Sequence, residues 1–402
     1  MTAVVVTGVG VLSPHGLGRD AHWRSALAGD NGIDEITRFE ADGYPGRLAG
    51  EVPGFDPAAH VPGRLLPQTD VMTRYSLAAA RWALDDAGLD TTALSSLDLG
   101  VVTAGSAGGF EFGQRELEKL WGRGRRFVST YMSFAWFYAV NTGQLAIRHD
   151  MRGPVGVFVT DDAGGLDAIA HARRKIRKGS RAVLTGAVDS SLCPYGLAAH
   201  LASGRLATGN RPDRAYLPFD RAAGGYVPGE GGALLVLESA TDAAGRGAPR
   251  YGEIAGYGAS FDPAPGTGRP SNLRRAMDTA LADAGVRPDE VAMVMADGAG
   301  TPDEDAAEAR AIEEVFGPRG VPVTAPKART GRLAAGAAPL DVVTALIALR
   351  EGQVPPTAPA IDVPDHYALD LVTGAPRPVR GRAALVLARG AGGFNSAMVV
   401  RR

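Results

Sequence analysis

Two aspartates, Asp161 and Asp162, stand where an apolar run meets a helical pattern, in the stretch VFVTDDAGGLDAIAHARRKIRKG (157–179). A strand-to-helix turn of this kind is where many α/β enzymes carry a nucleophile, and here its tip carries carboxylates. Three readings are open: acid/base chemistry by paired carboxylates, a capped helix start, or an active site whose nucleophile is missing. The other chemical motifs are weak. GVGVLS (8–13) approaches the dinucleotide-binding G-x-G-x-x-G but ends in Ser13. No acidic residue about 20 positions on clearly ends a second strand to hold a ribose, so a glycine turn after the first strand is favoured. AGSAGG (104–109) has the wrong spacing for a nucleophile elbow, and neither a phosphate-cradling Gly-Lys-Ser/Thr loop nor an H-E-x-x-H is present. His15, His22, His60, His149, His171, His200 and His366 show no ligand-like pair on one helix face, so neither a metal nor a cofactor is expected. Cys193, in SSLCPYG, lacks a small-residue turn feeding a helix and reads as a core thiol.

The elements that must position these residues follow from periodicity. AVVVTGVGVLSP (3–14) reads as a buried strand, and DAHWRSALAG as the helix after it. MTRYSLAAARWALDDAGL (72–89) has apolar residues at helical spacing and a stop at Gly88. LDLGVVTAG, VLTGAVDSSL and GGALLVLESA read as strands, FGQRELEKLWG as a helix, and AALVLARGAGGFNSAMVVRR as a terminal hairpin. RAYLPFDRAAGGYVPGEGGALLVLE, with Asp220 and Glu230, is too apolar for a linker and reads as an ordered loop entering a buried strand. Alternating strands and helices with apolar strand runs predict a largely parallel sheet covered on both faces.

Internal similarity adds to this. ALDDAGLDTTALSSLDLGVVTAGS resembles ALADAGVRPDEVAMVMADGAG, and GGLDAIAHARRKIRKG resembles APLDVVTALIALREG, in the same order. A duplication is implied, with halves at 1–245 and 250–402 and their sheets stacked around sandwiched helices. The chain has 402 residues and a net charge of −2, which argues against bulk nucleic-acid binding or general membrane adhesion. One cysteine permits no intrachain disulfide and fits a reducing compartment. The start MTAVVVTGVGVLSPHG lacks a basic leader, and no apolar run reaches the ~20 residues of a membrane span, so a cytoplasmic protein is expected. Arg173, Arg174, Lys175, Arg177, Lys178 and Arg181, with Arg123, Arg125 and Arg126, read as a solvated helix face and a loop; the functional alternative is a docking patch for an acidic partner.

Taken together, VVVTGVGVLSPHG, TDDAGGLDA, PFDRAAGGYVPGEGGA, ADGAGTPDEDAAEA, PKARTGRLAAGAA and GAGGFNS resemble the β-ketoacyl synthases of the thiolase superfamily, in family order along the whole chain. The resemblance implies an α/β thiolase fold, two duplicated halves stacked as a five-layered αβαβα sandwich. Active members carry a cysteine at a helix N-terminus, where the dipole and amides favour thiolate and form an oxyanion hole, and two histidines. Here Asp162 stands at the cysteine position, Asp297 in DGAGT replaces the first histidine, and Arg332 in KARTGR replaces the second; Lys327 and Glu308 are retained. A carboxylate is a poor acyl acceptor, and Asp297 and Arg332 cannot supply two neutral imidazole donors, so self-sufficient condensation is excluded and no catalytic residue is assigned. An Asp297–Arg332 ion pair is expected in the vacated pocket. For Asp162 the favoured role is structural, accepting backbone N–H bonds at its helix start.

Within the family, SFAWFYAVNTGQ, DRAYLPFD, FDPAPG, MADGAG and APLDVVTALIALREG resemble the chain length factors, the ketosynthase beta subunits of bacterial type II polyketide synthases. That resemblance implies a heterodimer with a ketosynthase alpha subunit, docking of an acyl carrier protein with its phosphopantetheine-bound chain, and an interface tunnel that sets poly-β-ketone length. Many members have glutamine where this chain has Asp162, which places a priming decarboxylase role in doubt. An acyltransferase or malonyl decarboxylase of the same fold using a carboxylate is the alternative. The tunnel helix corresponds to GGFEFGQREL, where Phe110, Gly113 and Leu117 share one face at i, i+3 and i+7. A side chain in the tunnel stops growth by exclusion; the competing reading of this stripe is core packing against the partner.

Overall fold

The computed structural model describes every residue except Met1, Ala107, Pro265 and Pro359. Ala107 in AGSAGG and Pro265 in FDPAPG therefore lie outside the described residues. The first half contributes strands β1 (Val4–Ser13), β2 (Leu99–Ala104), β3 (Val155–Phe158), β4 (Ala182–Asp189) and β5 (Gly231–Ser239). The second contributes β6 (Gly252–Phe261), β7 (Val291–Met295), β8 (Pro322–Thr324), the two-residue β9 (Asp370–Leu371), β10 (Ala383–Gly390) and β11 (Phe394–Arg401). The helices used below are α1 (Arg19–Ala28), α2 (Val71–Ala87), α3 (Phe110–Arg123), α4 (Gly164–Arg177), α5 (Pro194–Ala202), α6 (Leu273–Ala284), α7 (Pro302–Phe316) and α8 (Ala337–Glu351).

The strand order is β3-β2-β4-β5-β1 in the first half and β8-β7-β10-β11-β6 in the second. Each row has the same directions: two parallel pairings, then two antiparallel ones. Among the described residues the two rows pair only at Val5↔Glu253 and Val6↔Gly252. One core unites both sheets with α4 and α8 between them, through residues such as Val6, Leu235, Ile169, Val343, Val386 and Met398. A second lies under α6 and α7, and a third under α2. This is the stacked five-layer αβαβα arrangement.

The sheets are mixed rather than largely parallel. An apolar run reports burial on both faces and carries no information about direction: all ten residues of β1 are buried although both of its long neighbours are antiparallel. In the second half the direction follows from connection length, since β10 and β11 are joined by three residues, Ala391–Gly392–Gly393, with positive φ at both glycines. GVGVLS is not a turn. Gly8 and Gly10 lie inside β1, where an added Cβ would fall 2.2 Å from Ala83 O and 1.9 Å from Ala79 O of α2. Gly256 and Gly258 of β6 meet Ala280 O and Ala276 O of α6 at 2.1 Å in the same way. The glycines let a helix backbone sit directly on a strand, once in each half.

Among the described residues no helix is long and apolar enough to cross a membrane. The basic run of α4 is not all solvated. Arg173 is buried, donating to the Asp283 carboxylate and to Ala255 O, so it ties α4 to the second half. Arg174, Lys178 and Arg181 are exposed, as are Arg123, Arg125 and Arg126.

Candidate functional site

Three chain segments converge where α4 begins. The β3–α4 turn brings Asp162, the loop after β7 brings Asp297, and the turn after a short 3-10 helix (Pro326–Arg329) brings Arg332. Arg332 is the hub. Its Nε donates to Asp162, and its Nη2 donates to both oxygens of Asp297 (3.2 and 3.1 Å) and to Arg389 O (2.8 Å). All three side chains are buried. The ion pair of Asp297 with Arg332 is thus present, and it extends to Asp162.

The surrounding groups fix this arrangement. Glu308 on α7 accepts from Asp297 N (2.7 Å) and Gly298 N (2.8 Å), setting the backbone of the DGAGT loop. Lys327 pairs with Asp341 (2.8 Å) and donates to Ala296 O (3.1 Å), holding the strand end that presents Asp297. Arg389 N donates to Asp297 Oδ1 (2.9 Å), and Tyr216 Oη donates to Gly298 O (2.7 Å).

Electrostatics divides the two aspartates. Burial pushes Asp297 upward, but Arg332 and Lys327 overrule it and hold its carboxyl below the usual range. Burial also pushes Asp162 upward; the charges of Asp161 and Asp297 add to this against Arg332, and it reaches about 7. Two carboxylates face one guanidinium, so one of them bears the excess negative charge, and that one is Asp162. Burial works against Arg332's own charge, yet Asp162 and Asp297 more than offset it and keep it protonated. Burial raises Glu308 to about 7, with Asp297 adding to the shift.

Asp162 is not the helix cap. The residue before α4 is Ala163, no side chain caps that end, and the first-turn amide of Gly164 goes to Asp161 O. Among the described residues the Asp162 carboxylate accepts from Arg332 and from no amide of the helix start, so the ion pair takes the place of capping. The acidic group in the first turn is Asp167, which accepts from Tyr257 Oη (2.6 Å) and Thr160 Oγ1 (2.5 Å). Cys193 is buried and its thiol is pushed up to about 11 by burial, while its Sγ accepts from Gly196 N at the start of α5 (3.4 Å).

A cavity of about 260 Å³ opens beside the cluster, lined among others by Phe110, Asp162, Ser191, His200, Tyr226 and Arg332. The three residues of the α3 stripe have different surroundings. Phe110 lines the cavity and stacks on Tyr195 (5.1 Å between centroids). Gly113 is buried beside Trp136, with room for a Cβ at 3.7 Å. Leu117 is 37% exposed. Sequence reasoning missed a polar chain in the same cavity, in which Ser191 Oγ lies 2.8 Å from His200 Nε2 and His200 Nδ1 lies 2.9 Å from Tyr226 Oη. Burial lowers His200 to about 4, so its imidazole is neutral near neutral pH.

Comparison with known proteins identifies the family. The β-ketoacyl synthase N-terminal domain profile matches residues 1–243 and the C-terminal domain profile matches residues 251–360. The chain is 57% identical to the actinorhodin polyketide putative beta-ketoacyl synthase 2 of Streptomyces coelicolor, over 100% of this chain and 98% of that one. It is 58% identical to the tetracenomycin polyketide synthase ketoacyl synthase beta subunit of Streptomyces glaucescens, over 99% and 98%. Among solved structures it is similar to the ishigamide ketosynthase/chain length factor (TM-score 0.90, 29% identity, 100% and 99% covered). It is also similar to a chain of AntDE:AntF, a type II acyl carrier protein in complex with its hexaketide-bound ketosynthase (TM-score 0.90, 27% identity, 100% and 99% covered). The chain belongs to the β-ketoacyl synthase family and, within it, to the ketosynthase beta subunits of type II polyketide synthases.

Proposed function

We propose that this chain is a chain length factor: a non-condensing subunit that pairs with a cytoplasmic ketosynthase alpha subunit and shapes the tunnel in which a poly-β-ketone grows. The observation that carries this reading is the closed Asp162–Arg332–Asp297 cluster. A carboxylate held by a guanidinium is neither nucleophile nor imidazole, so condensation falls to a partner with the cysteine and two histidines. The same observation disfavours carboxylate-based acyl transfer, because the guanidinium of Arg332 binds the Asp162 carboxylate and weakens it as a nucleophile.

Two surfaces support a partner. β3 ends its sheet row with a free edge and leaves Val155 and Val159 exposed, a template for pairing with another chain. The segment after α3 leaves Phe127, Tyr131, Trp136, Phe137 and Tyr138 exposed, an apolar and aromatic group suited to an obligate interface. The partner would close the open face of α3 and turn the Phe110–Gly113–Leu117 stripe into a tunnel wall, into which an acyl carrier protein delivers its phosphopantetheine-bound chain. Co-expression with an alpha subunit carrying the Cys-His-His set should give a stable heterodimer that makes polyketide, whereas either chain alone makes none. In that heterodimer Gly113→Phe should shift the main product to a shorter chain by mass. An unchanged product length would remove Gly113 from the wall, and failure to form a heterodimer would overturn the function.

A further inference from the structure

Helix α3 carries the Phe110–Gly113–Leu117 stripe, yet its own sequence does not cap its start. The residue before it is Gly109, which has no side chain to take up the first-turn amides. That role falls to Asp70, 42 positions before Phe112 in the sequence. Asp70 is only 1% exposed. Its Oδ1 accepts from Met72 N (3.0 Å) and caps α2, while its Oδ2 accepts from Phe112 N (2.8 Å) in the first turn of α3. One carboxylate thus serves the starts of two helices. Burial raises it to about 6 against the pull of the Phe112 and Met72 amides, so at neutral pH it is ionised and both oxygens accept.

Gly109 makes room for this contact. A Cβ there would fall 2.3 Å from Ala135 O and 2.9 Å from Asp70 Cβ, although its φ of −77° suits any residue. Close approach rather than conformation therefore requires glycine. The other anchors of α3 lead elsewhere. Glu116 accepts from Ser129 N (2.6 Å), which ties the helix to the aromatic segment rather than to a sheet. Gln114 accepting from Tyr195 N (2.8 Å) and the Arg38–Glu111 pair (3.7 Å) lie nearer the surface. α2, by contrast, sits directly on β1 through Gly8 and Gly10, so Asp70 joins α3 to the sheet by way of α2. We propose that Asp70 is a positioning residue for product length: by holding Phe112 N it fixes where Phe110, Gly113 and Leu117 stand against the growing chain. The proposal rests on the chain-length reading and deepens it. Exclusion selects one length only if the excluding side chains stay in place, because a wall that shifts admits or rejects one more ketide unit.

Product lengths made by the reconstituted heterodimer, resolved by mass, test this with three variants. Asp70→Ser keeps a hydroxyl for Met72 N, since serine is a good N-cap, and leaves Phe112 N without its acceptor. The ratio of main product to off-length products should fall about fivefold, the scale of one net hydrogen bond. Asp305→Ser is the control. Asp305 is also buried and takes up two backbone amides, those of Phe219 (2.8 Å) and Gly300 (3.0 Å), but it lies on α7 in the other half. Its loss should lower the yield and leave the ratio unchanged. Gly113→Phe reports whether α3 forms the wall. An unchanged ratio in Asp70→Ser, or an equal change in Asp305→Ser, would overturn the proposal and make Asp70 a structural cap only. If Gly113→Phe shortens the product while Asp70→Ser changes nothing, the positioning role alone falls. If neither changes the length, the wall assignment falls and the positioning role falls with it. Should Asp70→Ser not assemble with the alpha subunit, the nearly isosteric Asp70→Asn, which sets an NH2 against one of the two backbone N–H groups, is read in its place with the same outcomes.

Discussion

The middle layer contains two helices in duplicated positions, α4 and α8, and they have been put to different uses. α8 is buried at every residue from Ala337 to Leu349. Apart from Asp341, which pairs with Lys327, and Thr344, its buried residues are apolar all round, as a helix enclosed between two sheets must be. α4 occupies the equivalent place and buries Leu166, Ile169 and Ile176, but its start opens onto the Arg332 cluster and the cavity, and its end carries exposed cations. The lesson is that duplication preserved the layer while chemistry collected at one end of one copy. That contrast can be broken experimentally in several places.

The largest effect is expected at the start of α4. Arg332→Met leaves Asp162 and Asp297 buried without their shared cation. Removing one partner of such a group costs about 3–5 kcal/mol, because the carboxylates must protonate or stay unpaired. Chemical denaturation of the variant should show that loss. A near-native midpoint would mean that the cluster contributes nothing to the fold and that α4 and α8 are more alike than their sequences.

The outer seams test the opposite side of the contrast, where the halves are the same. Gly10→Ala and Gly258→Ala each press a Cβ into a helix backbone carbonyl. The backbone must shift, at about 1–3 kcal/mol each. Similar losses in the two variants would confirm that the seams are equivalent. A marked inequality would show that one half tolerates separation of helix and strand and the other does not.

These seams also show how far the sequence could be read. The elements were legible: apolar runs and helical spacing located β1, α2, α4 and the β10–β11 hairpin, and the repeated helix–strand units pointed to the duplication. Strand direction was not, because burial on both faces looks the same in parallel and antiparallel rows. Nor was the purpose of Gly8 and Gly10, because the alanines that require them lie some seventy residues away on α2. Asp162 and Arg332 are separated by 170 positions, and only the resemblance to a family placed them in one pocket. The Ser191–His200–Tyr226 chain was invisible, since Tyr226 arrives from a loop with no periodicity to register it.

A smaller effect is expected in the pH dependence. The folded pKa of Asp162 is raised from 3.8 to about 7, so between these values the folded protein retains a proton that the unfolded chain has released. Its contribution to stability is therefore fully present below about pH 4 and is lost as pH rises through about 7. Glu308 and Asp305, also raised to about 7, act in the same direction, so the wild-type slope is shared. Asp162→Asn removes one share, and the difference between the two proteins isolates it, on the order of 1–2 kcal/mol between about pH 5 and pH 7. Parallel stability curves would show that Asp162 stays ionised beside Arg332 and that the excess proton resides elsewhere.

The smallest effect lies at the other end of α4, where adjacent arginines face different surroundings. Arg173 points inward to Asp283 and Ala255 O, whereas Arg174 is exposed. Asp283 is itself 31% exposed, so losing its partner leaves a carboxylate that water can reach. Arg173→Met should therefore cost about 1–2 kcal/mol rather than the full penalty of a buried pair, and Arg174→Met should stay within about 0.5 kcal/mol. If the two variants melt alike, Arg173 is not the tie between α4 and the second half. The basic run of α4 would then be a surface feature along its whole length, available to an acidic partner, and the difference from α8 would rest on the Arg332 cluster alone.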